Sequence, residues 1–445
     1  MNSPDSSWNQ SHKLRDHPAP GMDRRSFIRL LAANSAVLAT AKAAASSPYY
    51  VGVGSSSDPY TAASVALSAC GQFPTNLAGQ TVVIKPNLVA AKPSSSGATT
   101  DPYVVQAIVD LSLAAGSTAI LIVEAAAPGQ PSNFDACGYT AVFQSYPQVQ
   151  LVDLRTGSYV LTPVPGGGYA YQSMWVPSLV LEPNTFFISA AKMKTHLDAV
   201  ATLSMKNLVG LGSESEYAPP VNKNYPRHDL HVRGINQAIM DLNLVRPVQF
   251  AVIDGIWAME GQGPLQGTPV ATNVALAGLN PVAVDRVALN VMEIPQTSPA
   301  YLTYASNAGL GPANTRDVTL LGDTYMPYPF VRAQTPPYLW QPKAAPGRIS
   351  ISQGQSTGIS YRIKTSCYTR AEIIQDSDIT PGVVLFRTLH DFTQVAPPGE
   401  TVTWNGLDDS GTPVKPGTYL VRIQASSSPD GRLINYAVGR IRVTA

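Results

Sequence analysis

Two short runs, Thr81-Val82-Val83-Ile84-Lys85 and Ala119-Ile120-Leu121-Ile122-Val123-Glu124, decide the fold. Both are unbroken apolar stretches with no alternation, the pattern of a strand covered on both faces in a parallel sheet. Helix-like segments surround them: Ala62–Cys70 before the first, Tyr103–Ala115 between the two, and a looser stretch to Tyr146 after the second. Strand-like runs recur at Tyr49–Val53, Val149–Leu154, Thr185–Ala190, Val248–Ile253, Val274–Ala277 and Val318–Leu321, with helices expected at Gly234–Asn243 and Pro281–Met292. This alternation predicts an α/β domain over residues 48–330, a mainly parallel sheet flanked by helices. The run Tyr159–Ile188, broken by Pro165-Gly166-Gly167-Gly168, reads as a hairpin-rich insertion.

Residues 331–346 are too rich in proline for a helix or a central strand and read as a linker. Beyond them, 347–445 carries short alternating runs separated by turn residues, the expectation for an all-β sandwich. The segment Val402-Thr403-Trp404-Asn405-Gly406 through Pro416-Gly417-Thr418-Tyr419 resembles the immunoglobulin-like module named after the flagellar hook-cap protein. That resemblance implies an accessory, partner-docking role without chemistry of its own.

The composition narrows the function classes. A chain of 445 residues with 44% hydrophobic and 13% charged residues is neither a coiled coil nor a charged disordered chain. Its 30 basic and 29 acidic residues give a net charge of +1, so no charge excess for nucleic acid exists. Residues 1–47 stand apart. Asp23-Arg24-Arg25-Ser26-Phe27-Ile28-Arg29, an apolar stretch from Leu30 to Ala41, and the run Ala43-Ala44-Ala45-Ser46-Ser47 form a charged, an apolar and a cleavable region. The paired arginines resemble a twin-arginine signal, which implies export of the folded protein to the periplasm or the outside, with no membrane span left after cleavage. Met22 stands immediately before this motif, so translation could start there or at Met1. The three cysteines, Cys70, Cys137 and Cys367, include no Cys-x-x-Cys pair, so the chain cannot build its own iron–sulfur cluster. Cys70 and Cys137 are either one disulfide or two buried thiols.

The chemistry-bearing residues fall where an open α/β sheet presents ligands, beyond the carboxyl ends of its strands. Lys85 and Glu124 end the two deciding strands, and Asn87 follows closely. Lys192, Lys194, His196, Lys206 and Asn207 lie within 16 residues after the strand Thr185–Ala190. Such clustering reads either as a pocket for phosphate or carboxylate groups, with lysines as point charges and Asn207 as an orienting donor, or as solvated loop charge. Asp254 and Glu260 are expected on a glycine-rich loop after a strand, and His228 and His231 three apart before a helix. These four read as a set able to hold a divalent metal, or as a turn-capping Asp, a neutralising Glu and structural histidines. Asp285 either complements a helix N-terminus or points into the cleft. Val51-Gly52-Val53-Gly54 lacks the third glycine of a dinucleotide fingerprint.

Four ordered motifs, Ile84-Lys85-Pro86-Asn87-Leu88, Lys192-Met193-Lys194-Thr195-His196, Met205-Lys206-Asn207-Leu208-Val209-Gly210 and Asp254-Gly255-Ile256-Trp257 to Pro264, resemble those of the family called domain of unknown function 362. The resemblance covers about residues 50–325. It implies no agreed reaction. Some members carry ferredoxin-type cysteine clusters, which this chain lacks. The expectation is an exported protein binding an anionic small molecule or a metal–ligand complex in a cleft of lysines and carboxylates. Two alternatives stand beside it: a non-catalytic envelope protein whose C-terminal module docks a protein partner, and a redox accessory that borrows a partner's cofactor.

Overall fold

The computed structural model describes residues 49–125, 133–218, 227–376, 385–431 and 434–445. The leader expected at 1–47 lies outside the described residues. Strands β1 (Tyr49–Ser55), β2 (Thr81–Pro86), β3 (Ala119–Glu124) and β4 (Val149–Asp153) come first. A separate hairpin follows, made of β5 (Tyr159–Pro163) and β6 (Ser173–Pro177), then β7 (Thr185–His196), β8 (Val200–Thr202), β9 (Phe250–Glu260), β10 (Thr268–Val270), β11 (Val274–Gly278) and β12 (Val318–Gly322). The main sheet runs β12-β1-β11-β9-β7-β2-β3-β4, with β8 and β10 attached to β7 and β9. It is mixed. β11 is antiparallel to both neighbours, whereas β9, β7, β2, β3 and β4 are successively parallel.

Helices cover both faces, and three begin with the same local signal. Asp58, Asp101 and Asn280 each cap a helix that opens on proline (Pro59–Cys70, Pro102–Ala114, Pro281–Val291), accepting a backbone N–H at 2.8, 2.9 and 3.0 Å. Gly52 and Gly54 answer to packing. A Cβ at either would lie 2.0 Å from a carbonyl oxygen, of Ala66 or Ala62, on the helix crossing β1. Two apolar layers, one holding Val83, Phe187 and Ile253 and the other Val82, Ile188 and Val252, sandwich the sheet. Among the described residues no helix is long and apolar enough to cross a membrane. All three cysteines are buried free thiols, so the Cys70–Cys137 disulfide is not formed.

Two expected loops are strand. β7 continues from Ala190 to His196, and β9 from Ile253 to Glu260. Lys192 and Asp254 interrupt the apolar runs that mark a buried strand, but they are register partners across β7 and β9 and neutralise one another.

The C-terminal β-rich unit has two sheets. One is β13 (Lys343–Ala345), β15 (Thr357–Arg362) and β18 (Gly399–Trp404); the other orders β14 (Arg348–Ser350), β20 (Ile434–Thr444), β19 (Gly417–Ser426), β16 (Cys367–Gln375) and β17 (Leu385–Val395). It has its own apolar centre around Trp404, Ile373 and Val421, yet Ile374, Leu420 and Val438 pack into the core of the α/β unit. The Gln237 amide seals the junction, donating to Val438 O (2.8 Å) and accepting from Val438 N (2.7 Å).

Candidate functional site

A cavity of about 410 Å³ opens where β2 and β3 end, against the far end of β7 and the helix Ser204–Asn207. Lys85, Lys194, His196, Asp198, Lys206 and His231 stand on its wall.

Its floor is a buried ion pair. Lys85 Nζ donates to both oxygens of Glu124 at 2.9 and 3.0 Å and to Pro86 O at 3.0 Å. Glu124 also accepts the backbone N–H groups of Leu88 (2.8 Å) and Ala125 (2.9 Å). The carboxylate is therefore surrounded by donors, which is the condition under which a buried charge is tolerated. Gly210 is required here, since a Cβ would come within 2.7 Å of Lys85 Nζ and 2.8 Å of Glu124 Oε1.

Asn207 links the floor to the wall. Its amide donates to Lys85 O (2.8 Å) and Ser189 Oγ (3.1 Å), while its carbonyl accepts from Asn87 Nδ2 at 3.1 Å. Asn87 in turn accepts from Lys194 Nζ at 2.9 Å, and Lys194 also donates to Ala98 O at 2.6 Å. Burial, reinforced by Lys206 and Lys192, holds the Lys194 amine well below the usual lysine range. Burial lowers Lys206 to about 8, with Asp198 opposing the shift and Lys85 adding to it. Lys206 is only 7% exposed and has no hydrogen-bond acceptor among the described residues.

The remaining wall is a histidine pair with a carboxylate. The rings of His196 and His231 are near-parallel with centroids 6.3 Å apart. One donor atom from each of His196, Asp198 and His231 falls within 4.8 Å of the others, a spacing compatible with a metal ion. The hydrogen bonds tell against that use of His196. Its Nδ1 accepts the backbone N–H of Asp198 at 3.0 Å, so the neutral ring carries its proton on Nε2 and presents a donor. Burial, with Lys206 next, keeps His196 well below the usual histidine range and hence neutral. His231 is oriented oppositely: its Nδ1 donates to Arg227 O at 3.2 Å and its Nε2 faces Asp198 Oδ2 at 3.8 Å. With its proton on Nδ1, the neutral His231 ring leaves Nε2 as a bare acceptor position near the Asp198 carboxylate.

Of the residues singled out in the sequence, Lys85, Asn87, Glu124, Lys194, His196, Lys206, Asn207 and His231 line this one cavity. Lys192 does not. It makes a fully buried ion pair with Asp254 at 2.8 Å, and Asp254 also accepts the N–H groups of Asp101 (2.8 Å) and Ile256 (3.0 Å). The expected metal set of His228, His231, Asp254 and Glu260 is not assembled. Asp254 is committed to Lys192, Glu260 accepts the Val331 N–H at 2.7 Å, and His228 is absent from the cavity lining. Asp285 does not face the cleft either; it accepts from the backbone N–H groups of Ser204 (2.7 Å) and Met205 (3.1 Å) and from the Ser204 hydroxyl, fixing the helix that carries Lys206. Asp198 and Arg227 were not among the candidates. Asp198 follows His196 by two residues, and the tight turn between them was the available signal. Arg227 joins the wall with its guanidinium 3.4 Å from Glu214 and its Nε–H donated to Gly212 O at 2.8 Å.

Among solved structures, the lactate racemase apoprotein from Thermoanaerobacterium thermosaccharolyticum aligns at 14% identity over 54% of this chain and 57% of its own, with a TM-score of 0.34. The Pseudomonas fluorescens alkylpurine DNA glycosylase AlkC bound to DNA aligns at 11% identity over 25% of this chain and 31% of its own, with a TM-score of 0.18. Neither score carries fold or function across. In sequence, the chain is 23% identical over 240 residues to the Thylakoid-associated protein sll1697 of Synechocystis sp., covering 53% of this chain and 70% of that protein. Over residues 82–290, the stretch that supplies the whole cavity lining, the chain matches the family described as Domain of unknown function (DUF362).

Proposed function

We propose that the cavity binds a small anionic molecule through a carboxylate or phosphate group. One observation carries this reading: Lys206 is buried in the cavity wall with no hydrogen-bond acceptor among the described residues. Of the other basic residues on the wall, Lys85 is matched by Glu124 and Arg227 by Glu214, and Lys194 meets two neutral oxygens. Lys206 has only the longer-range field of Asp198, which itself faces His231. A ligand anion supplies the missing countercharge, and the Nε2–H of His196 offers it a second, directed hydrogen bond.

Calorimetric titration with oxalate and with inorganic phosphate tests the reading, comparing the unmodified chain with Lys206→Met. The substitution keeps most of the apolar stem and deletes the charge. Binding should weaken by about tenfold or more, the equivalent of roughly 1.4 kcal/mol for one charge-assisted hydrogen bond. The pH dependence has two opposite signs. A lysine lowered to about 8 binds fewer protons folded than unfolded, so unliganded stability rises between pH 8 and the ordinary 10.5. Anion affinity falls over the same range as the ammonium disappears. Equal affinity in both proteins, or no affinity for either anion, would refute the proposal.

The reading includes export and a binding module. Arg24-Arg25-Ser26-Phe27-Ile28 supports a twin-arginine route to the periplasm or beyond. An immunoglobulin-like assignment for the C-terminal unit is supported by Trp404, 1% exposed, whose Nε1–H donates to Leu407 O at 2.9 Å and whose ring meets Tyr419 at 5.6 Å.

A further inference from the structure

We infer that Lys194 is a nucleophile, and that the anion taken by the cavity is a small 2-oxo acid whose carbonyl carbon condenses with the Lys194 amine to an imine. This rests on the anion-binding reading of the same cavity and adds a substrate class and a covalent step.

Three lysines are buried on β2 and β7, and they are treated differently. Lys85 and Lys192 each meet a carboxylate, at 2.9 and 2.8 Å. Lys194, 1% exposed, meets only two neutral oxygens, Asn87 Oδ1 and Ala98 O, and no carboxylate stands within ion-pair distance of it among the described residues. An ammonium has three N–H groups to place; an amine has two. Two acceptors match the amine and leave its lone pair as the one uncommitted position on a side chain that lines the cavity. The nearby charges of Lys206, Lys192 and Lys85 act in the same direction, since a further cation among them costs free energy, while Glu124 opposes them. A buried amine beside other cations is the usual means of making a lysine nucleophilic at neutral pH.

The other groups on the wall suit a carbonyl with an adjacent carboxylate. Lys206 and the His196 Nε2–H take the carboxylate, and the bare His231 Nε2 on the same wall offers a proton acceptor. In the first step the Lys194 nitrogen forms a bond to the carbonyl carbon, the C=O π pair moves to oxygen, and that oxygen gains one proton while nitrogen loses one. In the second step the C–O bond breaks with protonation, water leaves, and the nitrogen lone pair closes the C=N bond. The sum is amine plus carbonyl giving imine plus water, with no oxidant or reductant. A protonated imine keeps one N–H, which retains the Ala98 carbonyl as its acceptor.

The test treats the full chain with glyoxylate and then sodium borohydride, which reduces an imine to a stable secondary amine, and maps the product by peptide mass spectrometry. Expected is one adduct at Lys194, with the mass of glyoxylate less one oxygen atom. Its labelling rate should exceed that of the exposed Lys92 and Lys343 by about tenfold or more, because a buried amine with no carboxylate partner is nucleophilic where exposed lysines are protonated. Excess oxalate, an anion without an electrophilic ketone or aldehyde, should suppress it, and Lys194→Arg should abolish it. The oxalate arm uses the unmodified chain, so the result does not depend on the variant folding. If oxalate binds by calorimetry but Lys194 labels no faster than the exposed lysines, the nucleophile is overturned and the anion site stands. If neither oxalate nor glyoxylate binds, the anion site fails and the inference fails with it.

Discussion

Replacing Glu124 by Gln removes a charge and changes almost no volume, so its effect isolates what the carboxylate does beneath the cavity. Four donated hydrogen bonds converge on it: two from Lys85 Nζ at 2.9 and 3.0 Å, one from Leu88 N at 2.8 Å and one from Ala125 N at 2.9 Å. A glutamine offers one carbonyl oxygen to these donors and turns its own N–H₂ against at least one backbone N–H. Lys85 keeps only neutral partners, Pro86 O and, at 3.4 Å, Asn207 Oδ1. Leaving one partner of a buried pair uncompensated costs about 3–5 kcal/mol. At roughly 2–4 °C per kcal/mol for a unit of this size, the melting temperature should fall on the order of 10 °C. Two further measurements separate this cause from general damage. Burial already holds Lys85 below its ordinary 10.5, and Glu124 opposes that shift. Without Glu124 the folded state binds still fewer protons than the unfolded one, so the deficit should shrink as pH rises toward 10.5. Adding Lys85→Met to Glu124→Gln removes the stranded charge and should restore a large part of the loss. Chemical denaturation at pH 6, 7.5 and 9 reads all three. A single variant within about 1 kcal/mol of the parent, or a double variant no more stable than the single, refutes the account of the floor.

Two other perturbations probe the supports of the site. Asp285→Asn gives one acceptor where three donors converge and should cost about 1–3 kcal/mol near pH 5 by denaturant unfolding. Burial raises Asp285 to about 7, so its folded form binds more protons than its unfolded form and the parent loses stability as pH rises to 7; the asparagine does not titrate, so the gap should narrow over that range. A gap that widens would assign the wrong sign. Asp376→Asn strips the countercharge from Arg233 (3.1 Å) and Arg440 (2.9 Å), a contact between the two units in which the carboxylate and Arg233 are buried, and should cost about 3 kcal/mol. Calorimetry should show the C-terminal unit loosening first; an unchanged melting profile would show that this bridge does not hold the units together.

The runs around Val83 and Leu121 were legible because a strand covered on both faces must be apolar throughout, and the polar residues at their ends then mark the ligand side of the sheet. Asn87, Lys194, His196, Lys206 and Asn207 could be gathered for the same reason, their motifs following strands that converge on one edge. The extent of β7 and β9 was not legible. Lys192 and Asp254 look like strand ends in one dimension, because nothing in either segment alone says that the other will lie beside it at 2.8 Å. That same pairing withdrew Asp254 from the expected metal set. The antiparallel placing of β11 was equally silent, since Val274–Gly278 is as apolar as the parallel strands of the sheet. Asp198 was missed because its role depends on His231, which folding brings back from 33 positions along the chain.

The arrangement gives the C-terminal unit a part in the site without any residue in it. Arg227 and His231 reach the cavity from the segment that ends at Val232; Arg422 donates to Val232 O at 3.4 Å, and just beyond, Gln237 of the helix Ile235–Val245 is bonded to Val438 of β20. Arg233, next after Val232, is clasped by Asp376 and lies 4.2 Å from the centroid of the Tyr171 ring. Contacts from the second unit therefore brace the segment that carries His231 to its place 3.8 Å from Asp198. Coupling of this kind is reciprocal. If a ligand binds better when His231 is held in place, its presence must strengthen the docking of the C-terminal unit by the same factor that docking strengthens the ligand.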